Sequence, residues 1–306
     1  MSELGDTLVE RPSRPSDDAD IDLAGRTDVG QVRENNQDQF FIARLNKSLA
    51  IHQTSLPLAR RVYGQCRGTI LMVADGMGGH AGGEKASDLA IRHLVGGILD
   101  TIHWHFNGND EEERFVESLR SILRDAHVKI QMESDRDASI AGMGTTLTMA
   151  YLVGSVMYVV HAGDSRCYLV RGGQAKCLTT DHTMARKMVE EGGLRPEDEA
   201  DSRWSNVLWN VLGGRGDSQL IAEVHRVELG PKDTVVLCSD GLHRYQQETD
   251  IAAAATESSS AEDLCDALVD AANRGGGADN ITAAVLRMAD SHLLDTTWVE
   301  DLTEEI

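Results

Sequence analysis

Short runs rich in Val, Ile and Leu recur along the chain, at 69–74, 146–152, Val156–Ala162, 167–171, Thr234–Cys238 and 281–287. Bounded by Gly, Asp and Asn, runs of this length and composition predict strands. A different period appears at 84–99, where Ala86, Ala90, Leu94 and Ile98 fall on one stripe, and again at Phe115, Leu119, Ile122, Ala126 and Ile130. That spacing predicts amphipathic helices. A further helix is predicted over 261–273, opened by Ser260 with Asp263 three residues on, a capping pattern. Strands outnumber helices, and pairing mostly between sequence neighbours is expected. The fold class is therefore α+β, antiparallel sheet covered by a few helices.

Composition places this pattern in one globular body. Of 306 residues, 41% are hydrophobic and 26% charged, the range of folded soluble chains. No internal repeat and no Pro/Ser-rich linker interrupts it, so a single domain is expected over 24–290. Residues 1–23 mix Pro, Ser, Asp and Arg without apolar periodicity and read as a disordered arm, and 291–306 as an acidic tail. The start carries charges where a signal peptide has its apolar core, and the longest uncharged stretch, 142–161, holds glycines and hydroxyl residues suited to strands. The 5 cysteines are odd in number and form no C-x-x-C pair, which argues against a zinc or disulfide framework. Cytoplasm is the expected compartment. Lys plus Arg number 29 against 50 for Asp plus Glu, a formal charge of −21. Such a field repels nucleic acid and anionic membrane, so neither is an expected partner. Bound divalent cations would offset part of the same charge.

The placement of the aspartates is more informative than their number. The run through residue 74 ends in Asp75-Gly76, and the run through Cys238 leads to Asp240-Gly241. Asp279 stands just before the strand at 281–287, and Asp38 just before Phe40-Phe41-Ile42. In an antiparallel sheet the end of one strand lies beside the start of its neighbour, so these four acids can converge at one edge. Like charges gathered against apolar strands either raise one another's pKa or recruit a cation. Oxygen ligands point to Mg²⁺ or Mn²⁺ rather than zinc. Taken singly, an Asp-Gly pair is a turn signal; the repetition at strand boundaries is what singles these out. The glycine-rich stretch from Gly76 to Ala81 also satisfies G-x-G-x-x-A. It is rejected as a dinucleotide loop, because Asp75 would face the pyrophosphate and no acidic strand end follows about 20 residues on.

Taken in order, seven segments resemble the metal-dependent serine/threonine protein phosphatase family known as type 2C, in its bacterial form. They are Gly30-Gln-Val-Arg33-Glu-Asn-Asn-Gln37-Asp38, Asp75-Gly-Met-Gly-Gly-His80-Ala-Gly-Gly-Glu84, Gly142-Met-Gly-Thr-Thr146, His161-Ala-Gly-Asp164-Ser-Arg166, Leu178-Thr-Thr-Asp-His182, Ser239-Asp-Gly-Leu242 and Ala278-Asp-Asn280. The resemblance implies a four-layer α-β-β-α sandwich, two central antiparallel sheets flanked by helices, with a two-metal site at one end. It assigns Asp38, Asp75, the carbonyl of Gly76, Asp240 and Asp279 to the ions, and Asp164 with Asp240 to a third, weaker one. Arg33 matches the phosphate-binding arginine and His80 the histidine proposed as general acid. The implied activity is hydrolysis of phosphoserine and phosphothreonine monoesters by direct attack of a metal-bridging hydroxide, with Mn²⁺ or Mg²⁺ as cofactor. The implied partners are phosphoprotein substrates, including a cognate Ser/Thr kinase or its targets.

The chain departs from the family pattern at Gln37, where many relatives carry Glu. That loss of charge leaves open a second reading, a catalytically weak module of the same fold that binds phosphoproteins. The segment 46–68 is long for simple bacterial members. The segment 183–214 matches a mobile flap, and its Trp204 and Trp209 are expected to pack in the core rather than touch substrate.

Overall fold

The computed structural model describes residues 21–47, 66–101, 109–214 and 219–290. Its first half runs β1 (Ile21–Asp28), β2 (Asp38–Lys47), β3 (Cys66–Met77), α1 (Gly79–Thr101), α2 (Asn109–Arg136), β4 (Gly144–Thr145), β5 (Leu147–Val153) and β6 (Val156–Ala162). The second half runs β7 (Arg166–Arg171), β8 (Gln174–Cys177), α3 (Met184–Glu190), β9 (Leu212–Gly213), β10 (Glu223–Glu228), β11 (Thr234–Cys238), α4 (Asp240–His243), α5 (Glu248–Glu257), α6 (Ala261–Gly275) and β12 (Ile281–Met288). One sheet has the order β1-β12-β11-β7-β8; the other runs β10-β6-β5-β3-β4-β9, with β2 also paired to β3. Every pairing is antiparallel.

The unbroken apolar runs exist because the central strands are buried on both faces. Along β3, Ile70, Met72 and Ala74 pack with Leu94, Ile98, Leu119 and Ile122 of α1 and α2, while Leu71 and Val73 point the other way. Those two meet Val235 and Leu237 of β11 and Leu286 of β12 between the sheets. The opposite faces of β11 and β12, with Val236, Cys238, Ala283 and Val285, pack on Leu264, Leu268 and Ala272 of α6. Three apolar interfaces thus separate four layers, α-β-β-α, as the resemblance implied.

Two details differ from the reading of the sequence alone. Pairing is not mostly between sequence neighbours, because β12 lies between β1 and β11, and β11 between β12 and β7. The first strand starts at Ile21, so the last three residues of the segment 1–23 pair with Met288, Arg287 and Leu286. Residues 1–20 and 291–306, and most of 46–68, lie outside the described residues.

The predicted cap of α6 is present, with Ser260 Oγ accepting from the Asp263 amide at 3.0 Å. Ser260→Ala should lower stability by about 1 kcal/mol. The check is a lower urea midpoint with unchanged slope.

Candidate metal centre

The site is assembled where both sheets end. Asp38 is the first residue of β2 and lies directly opposite Asp75 of β3 in the strand register, which sets their Cβ atoms about 5 Å apart. The other sheet brings Asp240 at the start of α4, immediately after β11, and Asp279 just ahead of β12. Asp164 stands two residues before β7. The sheets are tied together at this end through Asp38. Its Oδ2 accepts from Ser239 Oγ and from Thr282 Oγ1, both at 2.7 Å.

Glycines are required here by close approach. A Cβ on Gly76 would come within 2.2 Å of the Gly83 carbonyl oxygen, and one on Gly241 within 2.0 Å of the Asn280 carbonyl oxygen. The start of α1 therefore lies against the end of β3, and α4 against the entry to β12.

The electrostatics follow from this crowding. Burial pushes the Asp38 carboxyl up to about 7, with Asp240 and Asp279 adding to the rise and the two hydroxyls opposing it. Asp75 is held well above the usual carboxylate range by burial and by Asp38, Asp240, Asp164 and Asp279. Burial, then Asp240 and Asp181, push Asp164 up to about 8. Five acids thus act on one another. Two of their oxygens, Asp38 Oδ1 and Asp240 Oδ1, are buried without any hydrogen-bond partner.

That pattern fits a divalent cation, since a buried carboxylate oxygen without a donor is costly and a cation satisfies it. Among the described residues no three His, Cys, Asp or Glu side chains close into a ready cage. The reason is visible in their partners: Asp38 turns one oxygen to hydroxyls, Asp279 Oδ2 takes Arg33 Nη2 at 2.8 Å, and Asp240 Oδ2 takes Arg244 Nη2. Mg²⁺-type ions use few carboxylates and keep several waters, so an all-protein cage is not needed.

The remaining candidates are placed as follows. Arg33 is more than half exposed, and its hydrogen bond and charge contact with Asp279 raise its pKa. The backbone of His80 lies in the first turn of α1; its side chain is outside the described residues. Gln37 Nε2 donates to the Gly79 carbonyl at 2.7 Å, and the Gln37 side chain packs where a Cβ on Gly83 would be. Its amide therefore helps fix the glycine turn into α1, a role the charge argument missed. Trp209 stacks edge-on against buried His182 with Lys187 over its ring, and Trp204 carries Arg203 over its ring; both residues are only partly buried and belong to none of the three apolar clusters, so the core position expected for them is not found.

Three residues were not foreseen. Asn280 is 5% exposed; its Oδ1 accepts from the Gln37 amide, and its Nδ2 donates to the Val29 and Asn35 carbonyls. It holds the loop that carries Arg33 against the start of β12. The signal available was its place directly after Asp279. His243 Nε2 donates to the Asp164 carbonyl at 3.0 Å, and burial lowers its pKa to about 4, so the ring is neutral. Arg244, the third, contacts both Asp240 and Asn206.

Comparison with known proteins agrees with this geometry. A family model described as Protein phosphatase 2C matches residues 61–275. The serine/threonine phosphatase stp of Listeria welshimeri is 30% identical over 261 residues, covering 85% of this chain and 93% of that protein. Among solved structures, the S. agalactiae serine/threonine phosphatase superposes with a TM-score of 0.72 at 29% identity, over 88% of this chain and 99% of that one. The catalytic domain of the phosphatase PstP in complex with two manganese ions gives a TM-score of 0.67 at 30% identity, over 89% of this chain and 99% of that one.

The raised Asp38 pKa has a sign that can be measured. In the metal-free fold this carboxyl keeps its proton up to about pH 7, whereas in the unfolded chain it ionises near pH 4. The native state therefore holds the extra proton between those values. This contribution is complete below the unfolded pKa and is lost as pH rises towards 7. In EDTA the melting temperature of the wild type should fall between pH 5 and 7.5 by more than that of Asp38→Asn. Mn²⁺ at 100 times its Kd should restore about 2.7 kcal/mol at pH 7.5. Parallel profiles for the two proteins would show that Asp38 is not the group responsible.

Proposed function

The chain belongs to the protein phosphatase 2C family and is a metal-dependent serine/threonine protein phosphatase; we propose that Asp38, Asp75, the Gly76 carbonyl, Asp240 and Asp279 hold its divalent ions. The observation that carries this reading is the pair of buried, partnerless oxygens on Asp38 and Asp240, in a cluster of acids whose charges raise Asp38 and Asp75. Bound in pairs, such ions supply acidification of water and charge neutralisation for an in-line phosphoryl displacement.

The chain's own residues do the rest. Ser239 and Thr282 fix the rotamer of Asp38 by holding its Oδ2, which leaves Oδ1 facing the centre. Arg33 spends one N–H on Asp279 and retains four more donors in a planar fork, enough to grip two oxygens of a phosphate. Asn280 keeps the Arg33 loop in register with Asp279. His80, at the entrance to α1, is assigned the proton delivered to the departing seryl or threonyl oxygen, a poor leaving group when unprotonated. The weak-module alternative drew on Gln37 alone, and the Gln37 amide is engaged on the Gly79 carbonyl rather than idle.

Substrates are phosphoproteins, and we place a cognate Ser/Thr kinase or its targets among them. The described cysteines, Cys167, Cys177, Cys238 and Cys265, are free thiols, which supports a cytoplasmic setting. Among the described residues no helix is long and apolar enough to cross a membrane.

Purified protein should hydrolyse p-nitrophenyl phosphate and phosphopeptides with Mn²⁺ and stop in EDTA, and Asp75→Ala or Asp240→Ala should reduce turnover to background. A fully active Asp75→Ala would falsify the ligand assignment. Arg33→Ala should cost about 10- to 100-fold in kcat/KM, the worth of a charged hydrogen bond. His80→Ala should slow phosphopeptide turnover by about 10²–10⁴-fold and p-nitrophenyl phosphate far less, since p-nitrophenolate leaves without a proton. Equal losses on both substrates would remove His80 from the acid role.

A further inference from the structure

The strand ladder on one side of β3 is interrupted at Asp75. It pairs Gly68 through Val73 with Val153 through Thr148 on β5 and resumes at Gly76, opposite Thr145 on β4, so Asp75 falls opposite Thr146 in the gap. Thr146 still donates its amide to the Asp75 carbonyl at 2.9 Å. The return bond is of another kind: the Asp75 amide donates to the side-chain oxygen Thr146 Oγ1 at 3.0 Å. Thr145 Oγ1 lies 2.9 Å from the carbonyl oxygens of both Asp75 and Thr146 and donates to them. Both main-chain polar groups of Asp75 on this side therefore end on two threonines. Thr146 Oγ1 is itself 2.7 Å from Ser165 Oγ, between β6 and β7, and the Ser165 carbonyl accepts from Thr148 Oγ1 at 2.9 Å. Thr145, Thr146, Thr148 and Ser165 are all buried, so these hydroxyls are shut off from solvent.

We propose that Thr146 is a positioning residue: its hydroxyl, held in turn by Ser165, fixes the main chain of Asp75 and so the direction in which the Asp75 carboxylate meets the divalent ions. The inference rests on the metal assignment above and deepens it. Asp38 stands directly opposite Asp75, and like charges in that position push apart. Each acid is held against that push in its own way. Asp38 is restrained through its side chain, by Ser239 and Thr282, and Asp75 through its main chain, by Thr146 and Thr145. Serine at position 146 would supply the same oxygen. Valine has the shape of threonine without it, and would leave the Asp75 amide buried and unpaired, the costly way to lose a hydrogen bond.

The test reads metal affinity and folding separately. The full chain, stripped with EDTA and dialysed, is titrated with Mn²⁺ alone by calorimetry, and thermal melting in EDTA follows the fold. Thr146→Val and Thr146→Cys, which lack a good acceptor oxygen, should each weaken Mn²⁺ binding by about 10-fold, the effect of one buried amide left unpaired. Thr146→Ser should bind as the wild type does. Ser134→Ala serves as the control for stability alone. It removes a buried hydroxyl that accepts from the Gly142 amide at 2.7 Å, a bond of the same kind that touches none of the acids. It should lower the melting temperature and leave Mn²⁺ affinity unchanged. Wild-type affinity in folded Thr146→Val and Thr146→Cys, a Thr146→Ser as weak as Thr146→Val, or an equal loss in Ser134→Ala would each overturn the proposal. No Mn²⁺ binding by the wild type, or wild-type binding by Asp75→Ala, would instead overturn the metal assignment itself.

Discussion

The structure is organised around the concentration of negative charge at one end of the sandwich. Asp38 and Asp75 sit opposite each other on paired strands, an arrangement that ordinarily destabilises a sheet. Asp240, Asp279 and Asp164 then arrive from the other sheet and add to the same field. Nothing in packing alone calls for this. The central strands β3, β11 and β12, which lead to Asp75, Asp240 and Asp279, are mostly apolar and buried on both faces, so the rigid part of the molecule fixes carboxylates that would otherwise separate. The fold can hold them because the apolar interfaces are extensive and because three of the acids have local donors: hydroxyls for Asp38, arginines for Asp240 and Asp279.

The hydroxyl pair on Asp38 has a second consequence. Ser239 precedes α4 and Thr282 lies in β12, while Asp38 belongs to the opposite sheet. Their bonds therefore cross between the two sheets at the level of the site, and Ser239 Oγ also accepts from the Thr282 amide at 3.0 Å. A sliding of one sheet over the other would break this cluster before it disturbed the apolar layer. Site geometry and sheet docking are the same set of contacts there, which keeps the Asp38 oxygens registered against Asp240 and Asp279.

How much of this was legible depends on where each element sits. Val156–Ala162 and Thr234–Cys238 are strands at those bounds because central strands need apolar residues on both faces. Edge strands do not, and β10, reading Glu-Val-His-Arg-Val-Glu, and β8, reading Gln-Ala-Lys-Cys, gave no run to find. Helix α5 is mostly alanine on its buried side and showed no stripe of large residues. The acids were legible because they interrupt apolar runs at fixed places. Asn280, Gln37 and Arg244 were not, since an amide or an arginine beside a glycine turn looks the same in sequence whether it faces water or closes a loop. Gln37 shows the limit most clearly: its amide nitrogen, on a carbonyl 42 positions away, and the space over Gly83 matter together, and both partners lie in a different element, α1.

The end of the segment 183–214 joins the sandwich through β9, which pairs with β4, and through the side chains of Asn210 and Asn206. At its base, Asn210 donates to the Ile221 carbonyl and contacts His182, whose ring stacks on His161 in the core. Burial lowers the His161 pKa to about 4, while His182 Nε2 stands 3.1 Å from Glu223 Oε1, so this base joins a neutral ring to a carboxylate. Four residues earlier, Asn206 reaches Arg244 and through it Asp240. The buried attachment at Asn210 sets where the end of the segment stands, and the exposed one at Asn206 ties it to Asp240 through Arg244.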